Sequence, residues 1–349
     1  MNRAYKLTVK DLKYNTSNAV EIAFDVPSTL KNTFKFIPGQ YITLEKELNG
    51  ETLRRAYSIC TDPTSRSLAI AIKRVNEGTF SIYANEVLKA GDVLDVFPPQ
   101  GRFTYKPINT GNTIMAFAAG SGITPIISIL KTVIYKTNNP FTLVYGSKSI
   151  KDCMFYEELM DLHSKFSNRL TIHFVFSQQK EPEADFGRID STVVTSLLNE
   201  YPSKEDLEAF YICGPETMMT TITDSLIENN IPKSLIYQEL FTTDPLEPLK
   251  NVSLEEGMCT VKVTTDDEET TFVMNKKQTL LTAALANGVD APYSCQGGIC
   301  SSCIARVTTG KATMVKNQIL TDDEIAEGFV LTCQAYPDTD AIEIDYDDV

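Results

Sequence analysis

Four cysteines near the C-terminus have the spacing of an iron-binding site. Cys295, Cys300 and Cys303 are separated by four and two residues, and Cys333 follows 30 positions later. Plant-type [2Fe-2S] clusters are held by four thiolates in a C-x4-C-x2-C run with a distant fourth cysteine. Structural zinc sites usually have two C-x2-C pairs, and only Cys300 and Cys303 form one here. The spacing therefore predicts a [2Fe-2S] cluster, with structural zinc as the alternative.

The residues between these cysteines suit a loop that wraps around a cluster. Gly297 and Gly298 permit positive φ, which lets backbone N–H groups turn toward the sulfur atoms. Ser301 and Ser302 are small and leave the loop unobstructed. We expect this loop to cover one side of the cluster and a strand to deliver Cys333 from across the domain.

A glycine-rich turn in the middle of the chain could bind a pyrophosphate. The stretch FAAGSGITPIISIL begins as an apolar strand at Phe117 and continues as an amphipathic helix to Leu130. Gly120 and Gly122 at the turn let a pyrophosphate approach the backbone, and the helix N-terminus supplies free N–H groups. Pro125 stands where G-x-G-x-x-G has its third glycine, so an ordinary strand-to-helix connection is the alternative.

Two polar stretches in the N-terminal part could bind a dinucleotide. In LRRAYSIC, Arg55 could neutralise a phosphate, Tyr57 could lie against a flat ring, and Ser58 could hydrogen-bond to the edge of that ring. In IKRVNEGTFS, Gly78 and Ser81 predict a small-residue turn suited to a second phosphate. A strand with an exposed basic pair is the plainer interpretation of the first stretch. Together the two stretches favour a dinucleotide such as FAD.

A fourth motif, YICGPETMM, lies at the end of an apolar strand pattern. Cys213 closes the apolar run, and Gly214 and Pro215 are turn residues. Parallel sheets bind ligands at the carboxyl ends of their strands. Cys213 is therefore either a small buried residue or a wall against a bound ring.

Composition narrows the class of protein. The chain has 349 residues, eight cysteines and a net charge of −14, with 15 acidic against six basic residues from Cys259 to Val349. This charge argues against nucleic-acid binding and against attachment to anionic lipid. No apolar run is long enough to cross a membrane, and the charged N-terminus does not resemble a signal peptide. We expect a cytoplasmic protein with reduced thiols and an acidic C-terminal quarter that is solvated or steers a basic partner.

The pattern of apolar residues divides the chain into three domains. Residues 1–107 alternate apolar and polar residues in short runs, which predicts an antiparallel β-barrel or sandwich. Residues 108–243 alternate apolar strands with helical stretches, which predicts a doubly wound parallel α/β domain. Residues 244–257 contain two prolines and several acids and are predicted to be a linker. Residues 258–349 are predicted to form a compact α+β domain.

Taken in order, the motifs resemble the ferredoxin-NADP reductase superfamily, in the form fused to a C-terminal plant-type [2Fe-2S] ferredoxin domain. Reductase subunits of phenylacetyl-CoA epoxidase systems have the same domain order. The matching pieces, which extend over nearly the whole chain, are IPGQYITL, RRAYSI, IKRV with GTFS, AAGSGITPIISIL, YGSKS, FGRID, YICGPETMM and the cluster cysteines. The resemblance implies an FAD-binding β-barrel, an NAD(P)-binding α/β domain and a ferredoxin-like β-grasp domain.

The resemblance also implies roles for individual residues. The residues that would hold the FAD pyrophosphate and isoalloxazine are Arg55, Tyr57 and Ser58, with Ser58 near the flavin N5. Further flavin contacts would come from Lys73, Gly78, Phe80 and Ser81. The cradle for the nicotinamide dinucleotide pyrophosphate would be Gly120, Gly122, Thr124 and Pro125. The nicotinamide pocket would be lined by Cys213, Gly214 and Pro215, so Ser58 and Cys213 are the candidate catalytic residues.

Two points stay open within the resemblance. Lys148, between Ser147 and Ser149 in YGSKS, could pair with a 2′-phosphate, which favours NADPH over NADH as the electron donor. A solvated loop lysine is the alternative. Glu239 and Phe241 in QELF match the ERF-like end of the nucleotide domain only partly, and their roles are left unassigned.

The activity that the resemblance implies is electron transfer. Hydride would pass from NADPH or NADH to FAD, and single electrons would pass through the [2Fe-2S] cluster to a separate oxygenase component, of the phenylacetyl-CoA epoxidase type. Reductases of other hydroxylases, desaturases and ring-hydroxylating oxygenases share this architecture. A non-enzymatic iron–sulfur carrier or redox sensor and a zinc-stabilised binding module are the alternatives from other classes.

Overall fold

The computed structural model describes residues 3–65, 67–201, 203–241 and 257–349. The predicted linker at 244–257 lies outside the described residues except for its last residue. Contacts divide the chain into two compact units: the larger comprises Ala4–Leu53 and Tyr57–Phe241, and the other contains the C-terminal domain. None of the helices in the described ranges combines the length and apolar composition that crossing a bilayer requires.

The N-terminal domain is an antiparallel sheet that closes on itself. Its elements are β1 (Tyr5–Thr16), β2 (Ala19–Asp25), β3 (Tyr41–Leu48), β4 (Glu51–Ser58), β5 (Leu68–Lys73), α1 (Thr79–Glu86) and β6 (Val93–Val96). The strand order is β4-β3-β6-β1-β2-β5. An antiparallel bridge between Ile59 and Ile70 joins the two outer strands, so the sheet forms a barrel. The predicted barrel is confirmed.

Helix α1 was not expected from the sequence. The small residues around Gly78 predict a turn, but Gly78 is the N-cap of an eight-residue helix. Buried side chains on one side of this helix, Phe80 and Ala84, belong to the barrel core. The turn interpretation is therefore wrong beyond Gly78, because burial of Phe80 and Ala84 favours a helix that seals the barrel.

The second domain is a parallel sheet covered by helices. Its elements are β7 (Thr113–Ala119), α2 (Ile123–Lys136), β8 (Phe141–Ser147), α3 (Tyr156–Lys165), β9 (Leu170–Phe176), β10 (Asp185–Phe186), α4 (Ser191–Asn199), β11 (Leu207–Cys213), α5 (Glu216–Glu228) and β12 (Ile236–Glu239). The strand order is β10-β9-β8-β7-β11-β12, and every pair is parallel. The first strand, β7, lies between β8 and β11, so the chain reverses direction across the sheet there. Such a switch point opens a ligand crevice at the carboxyl ends of the strands.

The barrel and the parallel sheet share a buried core. Cys60 and Phe103 from the barrel side belong to the same apolar cluster as Ile126 and Leu130 of α2. Helix α2 is therefore buried on nearly all sides, which matches its almost continuous apolar sequence. This packing makes the first two domains one compact unit.

The C-terminal domain is a small mixed sheet with two short helices. Its elements are β13 (Met258–Thr265), β14 (Glu268–Asn275), α6 (Leu280–Ala286), β15 (Ile304–Thr309), β16 (Ala312–Met314), α7 (Asp322–Ala326), β17 (Phe329–Leu331), β18 (Ala335–Pro337) and β19 (Ala341–Asp345). The main sheet has the order β14-β13-β19-β15-β17, with β13 and β19 parallel and the other pairs antiparallel. Leu280, Leu281 and Ala284 of α6 are buried in its core. The predicted α+β fold is confirmed.

The structure differs from the sequence prediction at the fourth cluster cysteine. We expected one strand to carry Cys333, but β17 ends at Leu331 and β18 begins at Ala335. The amide of Gln334 donates to the Leu331 carbonyl at 2.8 Å, which closes a turn around Cys333. In a strand, the direction of the Cys333 side chain would be set by the alternation of side chains between the two faces. In a turn it is not, and the sulfur can face the loop from Cys295 to Cys303.

Candidate redox site and cluster site

Three strand ends of the parallel sheet meet at one edge of the larger unit. Ala118 of β7 is paired with Cys213 of β11, and Cys213 is paired with Glu239 of β12. The chain leaves β7 at Gly120, directly beside these residues. The predicted nucleotide turn, the CGP motif and the QELF motif therefore form one site, although they are distant in sequence.

Close packing explains two of the glycines at this edge. A Cβ atom on Gly122 would lie 2.1 Å from the carbonyl oxygen of Cys213, and a Cβ on Gly214 would lie 2.6 Å from Met218 Cε. Both distances are far below van der Waals contact. Gly122 is therefore required so that the turn from Gly120 to Gly122 can lie against the CGP loop.

Ser58 of the barrel reaches the same edge from the opposite domain. Its hydroxyl donates to Glu239 Oε2 at 3.3 Å, across 181 positions of sequence. Ser58 is 3 % exposed and Glu239 8 % exposed, so water has little access to this contact. The hydrogen bond fixes the hydroxyl beside the strand ends where parallel sheets bind ligands.

Cys213 has a neutral thiol in this environment. It is fully buried, and burial is the main cause that raises its pKa well above the ordinary value, with the Glu239 carboxylate as a second cause. A thiol in this state is a poor nucleophile and a small apolar surface.

The predicted nucleotide turn at Gly120 has a left-handed glycine and a nearby cation. Gly120 has φ of 56°, and the Lys73 Nζ is 3.5 Å from the position that a Cβ atom there would occupy. The Tyr145 hydroxyl donates to the Gly120 carbonyl at 3.1 Å. The Tyr145 hydrogen bond therefore holds the turn in place, and the Lys73 ammonium lies beside it.

Lys73 and Lys148 form a like-charge pair near this turn. The pKa of Lys73 is lowered, first by burial and then by the charge of Lys148, while the Asp152 carboxylate opposes both effects. Lys148 is exposed at the end of β8. Two cations that repel each other suit a phosphate group, so this part of the site fits the phosphates of a nicotinamide dinucleotide.

The structure places Thr124 and Pro125 inside the protein. Both are buried in the first turn of α2, and the Thr124 hydroxyl donates to the Ser121 carbonyl at 3.0 Å. Their visible contribution is to shape the turn. Backbone N–H groups, rather than the Thr124 hydroxyl, are the groups that this turn can offer to a pyrophosphate.

The flavin residues predicted on the barrel have mixed environments. Arg55 is exposed on β4, and Tyr57 on the same face is half-buried with its ring 5.7 Å from that of Phe80. The Ser81 hydroxyl accepts from Val75 N and donates to the Gly78 carbonyl, so it stabilises the start of α1. The aromatic face of Tyr57 and the N-terminus of α1 fit the flat ring and a phosphate of a flavin dinucleotide.

The four cysteines of the predicted cluster site lie in two pairs. The Cys295 and Cys300 side chains are hydrogen-bonded to each other, and so are those of Cys303 and Cys333. In the part of the chain that the structure describes, no three His, Cys, Asp or Glu side chains are gathered as ligands of a metal ion. Two pairs of thiols match a cluster in which each of two irons takes two cysteines.

The loop around Cys295 favours a thiolate. A hydrogen bond from Cys300 is the largest cause that lowers the pKa of Cys295, and the amides of Gly297 and Ile299 add to it against the effect of burial. Gly297 N lies 3.3 Å from the Cys295 sulfur. Gly298 has φ of 73°, and a Cβ there would lie 2.7 Å from the Lys316 carbonyl oxygen. The loop therefore directs N–H groups toward sulfur, as the glycines predict.

The other four cysteines behave as packing residues. Cys60, Cys153, Cys213 and Cys259 are buried and free. Burial raises the pKa of each; for Cys153 the pKa is about 12. Among these, only Cys213 lies at the candidate redox site.

Glu239 is the site residue whose role the sequence left open. No local motif predicts its contact with Ser58, because the two residues belong to different domains. Phe241, in the same motif, packs half-buried against the apolar core. The only sequence signal was the position of QELF at the end of the last parallel strand, where ligand-binding residues are common.

Three protein families match successive parts of the chain. Residues 6–105 match the oxidoreductase FAD-binding domain, residues 117–224 the oxidoreductase NAD-binding domain, and residues 263–338 the 2Fe-2S iron–sulfur cluster binding domain. The last range contains all four paired cysteines.

Several relatives match this chain over nearly their whole length. The chain is 36 % identical to a subunit of 1,2-phenylacetyl-CoA epoxidase from Escherichia coli K12 over 99 % of both chains. It is 34 % identical to the ferredoxin reductase component of 3-ketosteroid-9-alpha-monooxygenase of Rhodococcus rhodochrous, over 99 % of this chain and 97 % of the relative. The crystal structure of phthalate dioxygenase reductase has the same fold, with a TM-score of 0.61, 22 % identity and 98 % of both chains covered.

Fold, site and domain families together define an NAD(P)H-dependent electron-transfer reductase that uses FAD and a [2Fe-2S] cluster. The chain belongs to the ferredoxin-NADP reductase superfamily, in the group with a C-terminal plant-type ferredoxin domain. The Rhodococcus rhodochrous relative is named as the ferredoxin reductase component of a monooxygenase.

Proposed function

We propose that this protein takes electrons from NADPH and delivers them to a di-iron oxygenase component of the phenylacetyl-CoA epoxidase type. The observation that carries the electron-input half is the meeting of Ser58, Cys213 and Glu239 beside the Gly120 turn. Family membership supports the electron-output half. The roles of the individual residues belong to the same proposal.

When bound, FAD would supply a two-electron acceptor for hydride and a [2Fe-2S] cluster would supply one-electron transfer. Ser58 would orient the ring edge of the flavin, with its hydroxyl held by Glu239. Cys213 would form an apolar wall that excludes water from the stacked rings. Arg55 would neutralise the flavin pyrophosphate, and Tyr57 would cover one face of the ring.

The nicotinamide dinucleotide would bind along the carboxyl edge of the parallel sheet. The turn from Gly120 to Gly122 would place backbone N–H groups against its pyrophosphate. Lys73 lies at this turn, so we assign it to the nicotinamide dinucleotide rather than to the flavin. Lys148, exposed at the end of β8, would pair with the 2′-phosphate of NADPH.

Replacing Lys148 with Ala is expected to weaken NADPH selectively. The KM for NADPH should rise by at least about tenfold, since a charged hydrogen bond contributes about 1.5–3 kcal/mol, while the KM for NADH should change little. Steady-state ferricyanide reduction with each donor measures both values. Lys165, exposed in the last turn of α3, provides a control variant, Lys165→Ala, that should affect neither donor. Equal rises for both donors would remove Lys148 from 2′-phosphate recognition.

The identity of the acceptor is tested by reconstitution. The purified reductase, NADPH and the oxygenase component of a phenylacetyl-CoA epoxidase should together convert phenylacetyl-CoA, and omission of any one should stop the reaction. A ring-hydroxylating oxygenase component serves as the parallel acceptor. If only the ring-hydroxylating component supported turnover, the proposed acceptor would be wrong and the partner would belong to another class of oxygenase.

The location proposed for this chemistry is the cytoplasm. All eight cysteines are free, which suits a reducing compartment. A pyridine-nucleotide donor is available in that compartment.

A further inference from the structure

A buried lysine joins the barrel to the nucleotide domain. Lys131 lies in the middle of α2 and is 8 % exposed. Its Nζ donates to the Cys60 carbonyl of the barrel at 3.1 Å and pairs with Glu158 Oε1 of α3 at 2.5 Å. The Nζ also lies 5.9 Å from the centre of the Phe155 ring. The ammonium is thus satisfied by groups from both domains.

Two further polar contacts join the same surfaces. Ser128, one helical turn before Lys131, donates to the Thr61 carbonyl at 2.6 Å. Asn15 of β1 accepts from the backbone N–H of Phe155 at 2.8 Å. Phe155 has φ of 60°, a left-handed conformation that a bulky residue adopts only when its surroundings enforce it. We call Lys131, Ser128 and Asn15 the interdomain clamp.

The clamp is connected along the chain to both halves of the redox site. Cys60 follows Ser58 by two residues, so the barrel strand that orients the flavin edge leads directly into the carbonyl that Lys131 holds. Lys131 lies on the helix that begins at the pyrophosphate turn, and a helix transmits a displacement along its axis because its backbone is rigid. A shift at Lys131 would therefore change the distance between the flavin site and the nicotinamide site.

The burial of Lys131 indicates that the clamp does more than stabilise the fold. A buried ammonium loses its hydration, and an ion pair in such a place is often no more stabilising than apolar residues of similar volume. Ile126, Ile127 and Leu130 of the same helix belong to the apolar core shared by the two domains, whereas Lys131 places a charge there. Directional contacts to Cys60 and Glu158 define one relative position of the two domains, which nondirectional packing does not.

We propose that Lys131 is a positioning residue that sets the hydride-transfer distance by locking α2 to the segment after Ser58. This inference rests on the proposed function, since it assumes that flavin binds on the barrel and nicotinamide at the Gly120 turn. Ser128 and Asn15 support the same lock. The rate of hydride transfer is sensitive to such a shift, because a misplacement of about 1 Å can cost roughly a hundredfold.

The test compares Lys131→Met with Lys136→Met in the full-length protein. Lys136 is exposed at the end of the same helix, so its variant controls for loss of a charge on α2. In stopped-flow mixing with NADPH, Lys131→Met should lower the limiting rate of flavin reduction roughly tenfold while the Kd for the nucleotide changes by less than about twofold. Amide hydrogen exchange should also accelerate in residues 59–65 and 155–159, a readout that does not depend on turnover.

Several outcomes decide the inference. An unchanged limiting rate in Lys131→Met, or equal losses in Lys136→Met, would overturn it, as would a rise in nucleotide Kd that accounts for the whole effect. If Lys131→Met does not fold with flavin, the same measurement is made on Ser128→Ala. The inference then requires a lower limiting rate of flavin reduction at an unchanged Kd, and an unchanged rate would overturn it. Wild-type protein that NADPH does not reduce would refute the proposed function instead, and the exchange rates would then decide whether the clamp exists.

Discussion

Replacing Cys300 with Ser should stop one-electron transfer to a protein acceptor while leaving ferricyanide reduction at the flavin intact. A serine hydroxyl does not ionise at neutral pH, so the pair formed with Cys295 would lose one ligand. Loss of a residue that only supports a ligand costs roughly 10- to 100-fold in metal affinity, and loss of a ligand itself should cost more. The cytochrome c and ferricyanide activities, measured with NADPH on the same preparation, separate the two parts of the electron path.

A second cysteine in the same domain gives the matched control. Cys259 is fully buried in the core of the C-terminal domain and has no part in the two pairs. Cys259→Ala should keep the iron content and both activities, with only a modest loss of stability. If Cys300→Ser lost ferricyanide reduction as well, the flavin site would depend on the cluster domain, contrary to the proposed separation of roles.

Replacing Gly122 with Ala should abolish nicotinamide-driven activity and leave the flavin bound. The added Cβ would lie 2.1 Å from the Cys213 carbonyl oxygen, so the pyrophosphate turn and the CGP loop would have to separate. Both sides of the nicotinamide site would move by an ångström or more. We expect kcat/KM for NADPH to fall by about a hundredfold or more, measured by ferricyanide reduction after the flavin content is matched to wild type.

Gly146 in β8 provides the control for this substitution. A Cβ there would meet the Ile189 side chain at 3.3 Å, and that side chain can move. Gly146→Ala should therefore keep kcat/KM for NADPH within a few-fold of wild type. Near-normal activity in Gly122→Ala would show that the turn does not carry the nucleotide.

Most of the architecture follows from sequence patterns. Continuous apolar strands such as TIMAFAA and FTLVYG became β7 and β8, because a parallel strand is buried on both faces. Alternating runs such as AVEIAFD became barrel strands with one face inward. The two-residue strand β10 was missed, since two residues contain no periodicity to detect.

The site was less predictable where it depends on contacts between distant residues. The cysteine spacing predicts the cluster ligands. The turn at Cys333 depends on the hydrogen bond from Gln334 to Leu331, which no sequence pattern indicates. The Ser58 and Glu239 contact joins two domains, and neither segment alone indicates it. Lys73 stood in a flavin motif, yet its ammonium lies at the Gly120 turn because β5 ends there.

The absorption spectrum of the purified protein, recorded before and after anaerobic addition of NADPH, tests the proposed electron path most directly. We expect flavin and iron–sulfur bands to be present together and both to bleach when NADPH is added. A spectrum without flavin bands, or flavin and cluster bands that NADPH leaves unchanged, would contradict the assignment of this chain as an NADPH-driven electron-transfer reductase.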